Sequence, residues 1–186
     1  RYGIMSPYIL YLGNFKPHKN LPRLLRAYAR LDESLRAAYQ LVLAGGDGIY
    51  RPALEDLARS LGVAGRVVFP GQVEDRDLPA LYSGCTLFAL PSLEEGFGLP
   101  ALEAMACGAP VVASDRAALP EVVDGAALLI DPEDETSITK AMARALTASE
   151  VREELRRRGL GRAREFSPDR TAGRVLALLR EVSEAR

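Results

Sequence analysis

Short apolar runs alternate with longer amphipathic stretches through the first 130 residues. This alternation limits the possible folds more than any other feature of the chain. Tyr8–Leu12, Gln40–Ala44, Val67–Phe69, Thr86–Leu90, Pro110–Ala113 and Leu128–Ile130 are short and bounded by Gly, Pro or charges, which predicts strands. Between them, Leu21–Leu31, Pro52–Leu61, Asp77–Ser83 and Leu99–Ala106 predict helices. In the first of these, Leu21, Leu24, Leu25, Tyr28 and Leu31 recur at helical spacing. Strands alternating with helices imply right-handed crossovers and a parallel sheet covered on both faces. Past residue 133 the strands stop, and Thr136–Thr147, Glu150–Arg158 and Pro168–Glu184 predict helices. Ser167 is placed to cap the last of them, with Pro168 in its first turn. The expected fold class is α/β, a doubly wound (Rossmann-like) parallel sheet of about six strands with helices on both faces and a helical C-terminal tail. Residues 1–186 form one domain on this reading, since roughly 100–200 residues make a domain.

Composition removes several function classes. Twenty-four basic residues against twenty-five acidic ones leave a net charge of -1, which offers no field to draw the chain onto nucleic acid. No apolar run approaches the ~20 residues of a bilayer span. Cys85 and Cys107 have no metal-ligand spacing and read as small buried hydrophobes of a reducing, cytosolic protein. The chain opens Arg1-Tyr2-Gly3 without a starting Met, as expected of a segment cut from a longer polypeptide. Eight arginines between Arg152 and Arg174 are interleaved with Glu150, Glu153, Glu154, Glu165 and Asp169, so a solvated helical face explains them better than a membrane or partner surface.

In doubly wound sheets, ligands bind beyond the carboxyl ends of the strands. Three loops there are unusual. The first, Gly13-Asn14-Phe15-Lys16-Pro17-His18-Lys19-Asn20, gathers donors and cations near a helix start, where the dipole favours an anion. Only three of the twenty-four basic residues are Lys, and two of them, Lys16 and Lys19, sit here. A polar surface loop with Asn20 as helix cap and His18 solvated remains the plain alternative. The second, Gly45-Gly46-Asp47-Gly48, suits a tight turn or close approach of a phosphate, but it lacks a following GK[ST] and a complete GxGxxG.

The third loop carries the most information. Gly96 and Gly98 free the backbone between a strand and a helix, and Pro100 sits where a first helical residue belongs. The amides of Phe97, Gly98 and Leu99 would then point out of a helix N-terminus. Glu95 lies in the loop and Glu103 is expected on the first helical turn. A carboxylate accepts hydrogen bonds from two neighbouring hydroxyls, so two carboxylates beside an anion site describe a ligand with phosphates and two diols, a nucleotide sugar. An acidic first turn that merely satisfies the dipole accounts for Glu103 but not for the Gly-Phe-Gly loop. Glycoside hydrolysis by the two carboxylates would leave the cationic first loop unexplained.

The segment Pro91 to Ser114, with E-G-F-G-L-P-x-L-E-A-M-A-C-G-x-P-V-V-A-S, resembles the donor-binding signature of the GT-B retaining glycosyltransferases of family 4, the glycosyl transferases of group 1. Y-L-G-N-F-K-P-H-K-N, L-V-L-A-G-G, V-V-F-P-G-Q-V, L-Y-S-G-C and F-S-P-D-R-T-A follow the order expected of that family across nearly the whole chain. The resemblance implies that residues 1–186 are the C-terminal, nucleotide-sugar-binding domain of a two-domain GT-B enzyme, without its N-terminal acceptor domain. It implies that Glu103 holds the ribose hydroxyls, that Glu95 meets the donor sugar, and that Phe97, Gly98 and Leu99 present amides to sugar and diphosphate. Lys19 would neutralise the departing diphosphate, which makes Glu95 and Lys19 the catalytic candidates. Gly13, Asn14, Lys16, His18 and Gly46 would line the donor site, and Phe69 and Gly71 would border the base. Asn14 stands where the family usually has Arg, so Lys16 or His18 would supply the second charge, or the diphosphate would be held less tightly.

The expected function is hexose transfer from a nucleoside-diphosphate sugar to an acceptor hydroxyl with retention. The P-H-K-N form of the first loop favours GDP-mannose, with UDP-sugars next. A GT-B sugar-nucleotide epimerase or phosphorylase, or a non-enzymatic nucleotide-binding module, are the alternatives. No cofactor is expected, and no metal is required, because cations and a helix dipole do that work. The expected partners are the nucleotide sugar, an unknown acceptor and the protein's own N-terminal domain, without nucleic acid or a membrane span. The expected location is cytoplasmic, with room for peripheral association at the inner face of the membrane. The isolated domain is expected to be inactive.

Overall fold

A computed structural model describes residues 2–5, 7–46 and 48–184. Arg1 and Asp47, both part of sequence expectations, lie outside the described residues. Six strands, β1 (Tyr8–Gly13), β2 (Gln40–Gly45), β3 (Val67–Gly71), β4 (Leu87–Leu90), β5 (Val111–Ser114) and β6 (Leu128–Ile130), form one sheet. Their order is β3-β2-β1-β4-β5-β6, with every pairing parallel. The helices are α1 (Leu21–Ala29), α2 (Glu33–Ala38), α3 (Arg51–Ser60), α4 (Leu78–Gly84), α5 (Leu99–Ala106), α6 (Leu119–Val123), α7 (Glu135–Thr147), α8 (Ser149–Arg164) and α9 (Pro168–Glu184).

The order of strands follows from the chemistry of their sequences. β1, β2 and β4 are apolar at nearly every position because both faces are covered, and Ile9, Leu10, Leu41, Leu43, Leu87 and Phe88 are fully buried. From β1 the chain steps one way to β2 and β3, then returns to β4 and steps the other way to β5 and β6. Right-handed crossovers in opposite directions put their helices on opposite faces. Accordingly α1 packs against α3 and α7, while α5 packs against α6 and α8. The reversal leaves a crevice between the carboxyl ends of β1 and β4, which is the topological switch point of such a sheet.

The tail runs as expected, and Ser167 Oγ accepts from the Arg170 amide at 3.3 Å, capping α9. α9 carries Val175, Leu176, Leu178, Leu179 and Val182 as exposed side chains. Among the described residues no helix is long and apolar enough to cross a membrane.

Several local expectations change. Two short helices, α2 and α6, go beyond the predicted set, because one or two turns carry too little periodicity to be read from sequence. α8 continues past Arg158 to Arg164 through two glycines, Gly159 and Gly161. Gly159 packs closely on Met105 of α5, where a Cβ would come within 3.1 Å of the Met side chain, so helix contact outweighs its low propensity. Cys85 is buried as expected, but Cys107 is only half-buried at the end of α5.

Candidate functional site

Two loops meet at the switch point, residues 14–20 after β1 and residues 91–98 after β4. They are tied by backbone and side chain together. Leu93 N–H donates to the His18 carbonyl at 2.8 Å. Asn20, buried and left-handed at φ 60°, makes no side-chain cap of α1, contrary to the plain surface-loop alternative. Its Nδ2 instead donates to the carbonyls of Pro91 (3.0 Å) and Pro132 (2.7 Å), after β4 and β6. One amide thus holds three loops, and the left-handed cap that Asn tolerates is what aims it inward.

Within this frame Lys19 Nζ reaches Glu95 Oε1 at 2.7 Å, with both side chains largely buried, at 13% and 9% exposure. Ser92 Oγ donates to the same Oε1 at 2.8 Å. His18 lines an open cleft of about 410 Å³ beside this pair, together with Glu94, Glu95, Gly96 and Ala117. Lys16 and Asn14 do not join the pair. Both are exposed, and Asn14 Oδ1 accepts from the Lys16 amide at 3.2 Å.

Gly98 forms the N-cap of α5 at φ 94°, and a Cβ there would meet a methyl of Leu119 at 2.5 Å. Only glycine fits both constraints. The first intrahelical bond runs from the Ala101 amide to the Gly98 carbonyl (3.0 Å), so the amides of Phe97, Gly98 and Leu99 precede the helical ladder. Pro100 is the second helical residue rather than the first, and Glu103 opens the second turn rather than sitting in the first. That shift separates Glu103 from the dipole end. Its Oε2 accepts from Tyr82 OH of α4 at 2.8 Å, while its side chain stays open to solvent.

The remaining predicted residues stand on the same end of the sheet, farther out. Gly46 donates to the Gly13 carbonyl at 3.0 Å, and at φ 88° its Cβ position is filled by the Phe15 ring. Phe15 bridges outward to Phe69 in the middle of β3, edge-on at 6.3 Å. Gly71 closes β3 opposite Ala44 after a register shift. Phe97 packs edge-on against Phe166 at 5.7 Å, joining the glycine loop to the α8–α9 junction.

Burial shapes the ionisable groups around the pair. Tyr11 lies beneath the first loop with its hydroxyl donating to the Asn14 carbonyl (2.6 Å), and burial, then the Glu95 charge, pushes its phenol well above the usual range. Tyr82 moves in the same direction through burial first and then its bond to Glu103. Burial pushes the Cys85 thiol up to about 12, which leaves it inert. Among the described residues no three His, Cys, Asp or Glu side chains cluster as metal ligands.

Ser92, Asn20 and Tyr82 are absent from the sequence-derived site. Ser92 stands in the segment Pro91 to Ser114, Asn20 in P-H-K-N and Tyr82 in L-Y-S-G-C, but the partner is remote or the geometry unreadable from spacing.

The switch point thus sets a loop cation paired with a carboxylate beside a glycine-opened helix start. The family model described as "Glycosyl transferases group 1" matches residues 4–162. The chain belongs to this family. Over 160 residues it is 42% identical to the O-antigen chain mannosyltransferase B of Escherichia coli, covering 86% of this chain and 42% of that protein. Sucrose-phosphate synthase from Thermosynechococcus elongatus superposes with a TM-score of 0.85 at 31% identity, covering 97% of this chain and 46% of that one. The C-terminal domain of a group 1 glycosyl transferase (LpcC) from Francisella tularensis shares the fold, with a TM-score of 0.75 at 22% identity, covering 86% of this chain and 85% of that domain. The group 1 chain therefore spans less than half the length of the first two proteins and nearly all of the third. It has the GT-B type of α/β domain expected from its sequence.

Proposed function

We propose that this chain is the donor-binding half of a retaining hexosyltransferase, taking GDP-mannose as donor and passing the hexose to an acceptor hydroxyl. The observation that carries the reading is the Lys19–Glu95 pair, set at the switch point beside the N-terminus of α5. As the bond between sugar and diphosphate breaks, negative charge grows on the diphosphate. Lys19 and the amides of Phe97, Gly98 and Leu99 stabilise that charge without reorganising. An incoming diphosphate competes with Glu95 for Lys19, and the exchange releases Glu95 to accept from hexose hydroxyls. Glu103, farther along α5, takes the ribose hydroxyls. Gly13, Gly46, His18, Phe69 and Gly71 wall the donor, and Lys16 supplies further positive field from the loop surface. No step uses a metal or a cofactor.

Mannose is favoured because the mannosyltransferase relative is 42% identical and because the first loop reads P-H-K-N. The acceptor and the other wall of the cleft belong to an N-terminal domain, so this chain alone turns over no donor. Its free cysteines suit a cytoplasmic setting, with the whole enzyme able to work at the inner face of a membrane.

Calorimetry of the chain against GDP, UDP and ADP tests the reading. The expected result is binding of GDP in preference to UDP and ADP, weakened at least tenfold by Glu103→Ala or by Lys19→Ala. Affinity unaltered by both substitutions overturns the site, and a preference for UDP overturns the donor. Transfer catalysed by the chain alone overturns the need for a second domain.

A further inference from the structure

Behind the exposed Glu103 stands a buried phenol. Tyr82 of α4 is 2% exposed, and its ring packs edge-on against Phe88 of β4 at 5.5 Å. Its backbone carbonyl accepts from Cys85 Sγ at 3.1 Å, which closes the last turn of α4. The ring is therefore held by core packing and the hydroxyl has one direction to point. It donates to Glu103 Oε2 at 2.8 Å, the single hydrogen bond of that carboxylate among the described residues. A surface glutamate ordinarily samples several rotamers, and fixing it costs side-chain entropy at the moment of binding. A phenol anchored in the core removes that cost beforehand, and it leaves Oε1 and the second lone pair of Oε2 for a ligand.

We infer that Tyr82 is a positioning residue, whose hydroxyl pre-orients Glu103 to receive the paired hydroxyls of a nucleotide's ribose. This rests on the proposed role of Glu103 and deepens it. Tyr82 touches no ligand itself. The second carboxylate offers the same arrangement, since Ser92, 1% exposed, donates to Glu95 Oε1 and leaves Oε2 open. In both cases a buried hydroxyl bonds one oxygen of a carboxylate, and the other oxygen has no hydrogen bond among the described residues.

The test compares GDP with 2′,3′-dideoxy-GDP, by calorimetry on the chain and its Tyr82→Phe variant. Phe keeps the ring and its contact with Phe88, so only the hydroxyl is withdrawn. The expected result is about a five- to tenfold loss of GDP affinity with unchanged affinity for the dideoxy compound. In a Glu103→Ala background, Tyr82→Phe should cause no further loss, because the residue to be positioned is gone. An equal loss for both nucleotides, or an undiminished loss in the Glu103→Ala background, overturns the inference. If Tyr82→Phe does not fold, Glu103→Asp draws the carboxylate away from the phenol. It should give the same ribose-selective loss, and wild-type discrimination in that variant overturns the inference. Should Glu103→Ala itself leave the preference for ribose intact, the role proposed for Glu103 fails. Should it abolish the preference while Tyr82→Phe does not, only the positioning fails.

Discussion

Lys19 and Glu95 neutralise each other across the switch point, with Nζ 2.7 Å from Oε1 and both side chains mostly shielded from water. Seventy-six residues separate them in sequence, and the return of the chain from β3 to β4 brings them together. A pair removed from water in this way is costly to break on one side only.

Lys19→Ala should therefore lower the melting temperature as well as nucleotide affinity, because it strands a buried carboxylate. Adding Glu95→Gln removes the stranded charge and should recover most of the stability but none of the affinity for GDP. Thermal unfolding and calorimetry on the two variants separate the effects. Recovery of both properties together would show that Lys19 serves the fold alone.

Asn20→Asp should destabilise more than Asn20→Ala. Alanine loses two buried hydrogen bonds, at about 1 kcal/mol each, and leaves two carbonyls unpaired. Aspartate sets a negative oxygen against those same carbonyls with no proton to offer. Urea unfolding should rank the variants wild type, Ala, Asp, and the reverse order of Ala and Asp would show that the loops are held otherwise.

Gly98→Ala combines a positive φ of 94° with a Cβ placed against Leu119. A loss of about 2–4 kcal/mol follows from the strained backbone and the overpacked contact. Trimming the obstacle with Leu119→Ala should not rescue the backbone part. A Gly98→Ala variant as stable as the parent, measured by urea unfolding, contradicts the left-handed cap.

Alkaline pH should unfold the chain through its buried phenols. Burial, with a smaller contribution from Cys85, raises Tyr8 from 10.0 to about 12, and Tyr11 and Tyr82 rise further. Above pH 10 the unfolded chain loses phenolic protons that the folded chain keeps, so the unfolded state is favoured. Stability from these groups is thus complete below pH 10; the Tyr8 part is lost as pH rises to about 12, and the Tyr11 and Tyr82 parts continue to be lost beyond it. Melting temperature should hold steady up to pH 9 and fall beyond 10. Tyrosinate absorbance from the buried phenols should appear together with unfolding. A single step centred near 10 with the fold intact would contradict the burial.

The alternation of apolar runs and amphipathic stretches, and the glycine-rich exits from strands, rest on interactions between residues a few positions apart. For that reason all six strands, the main helices, the two chemistry-bearing loops and the Glu95–Glu103 spacing were legible in the sequence. Two short helices were not, since Glu33–Ala38 and Leu119–Val123 have too few turns to show a period. Glu103 moved to the second turn because Gly98 caps the helix and starts the count at Leu99. The choice of Lys19 over Lys16 as the partner of Glu95 depended on which lysine the left-handed turn at Asn20 leaves facing β4. Local periodicity wrote the layers. The work of Asn20 and Tyr82 depends on contacts 71, 112 and 21 residues away, and such contacts exist only after the sheet has reversed direction and closed its core.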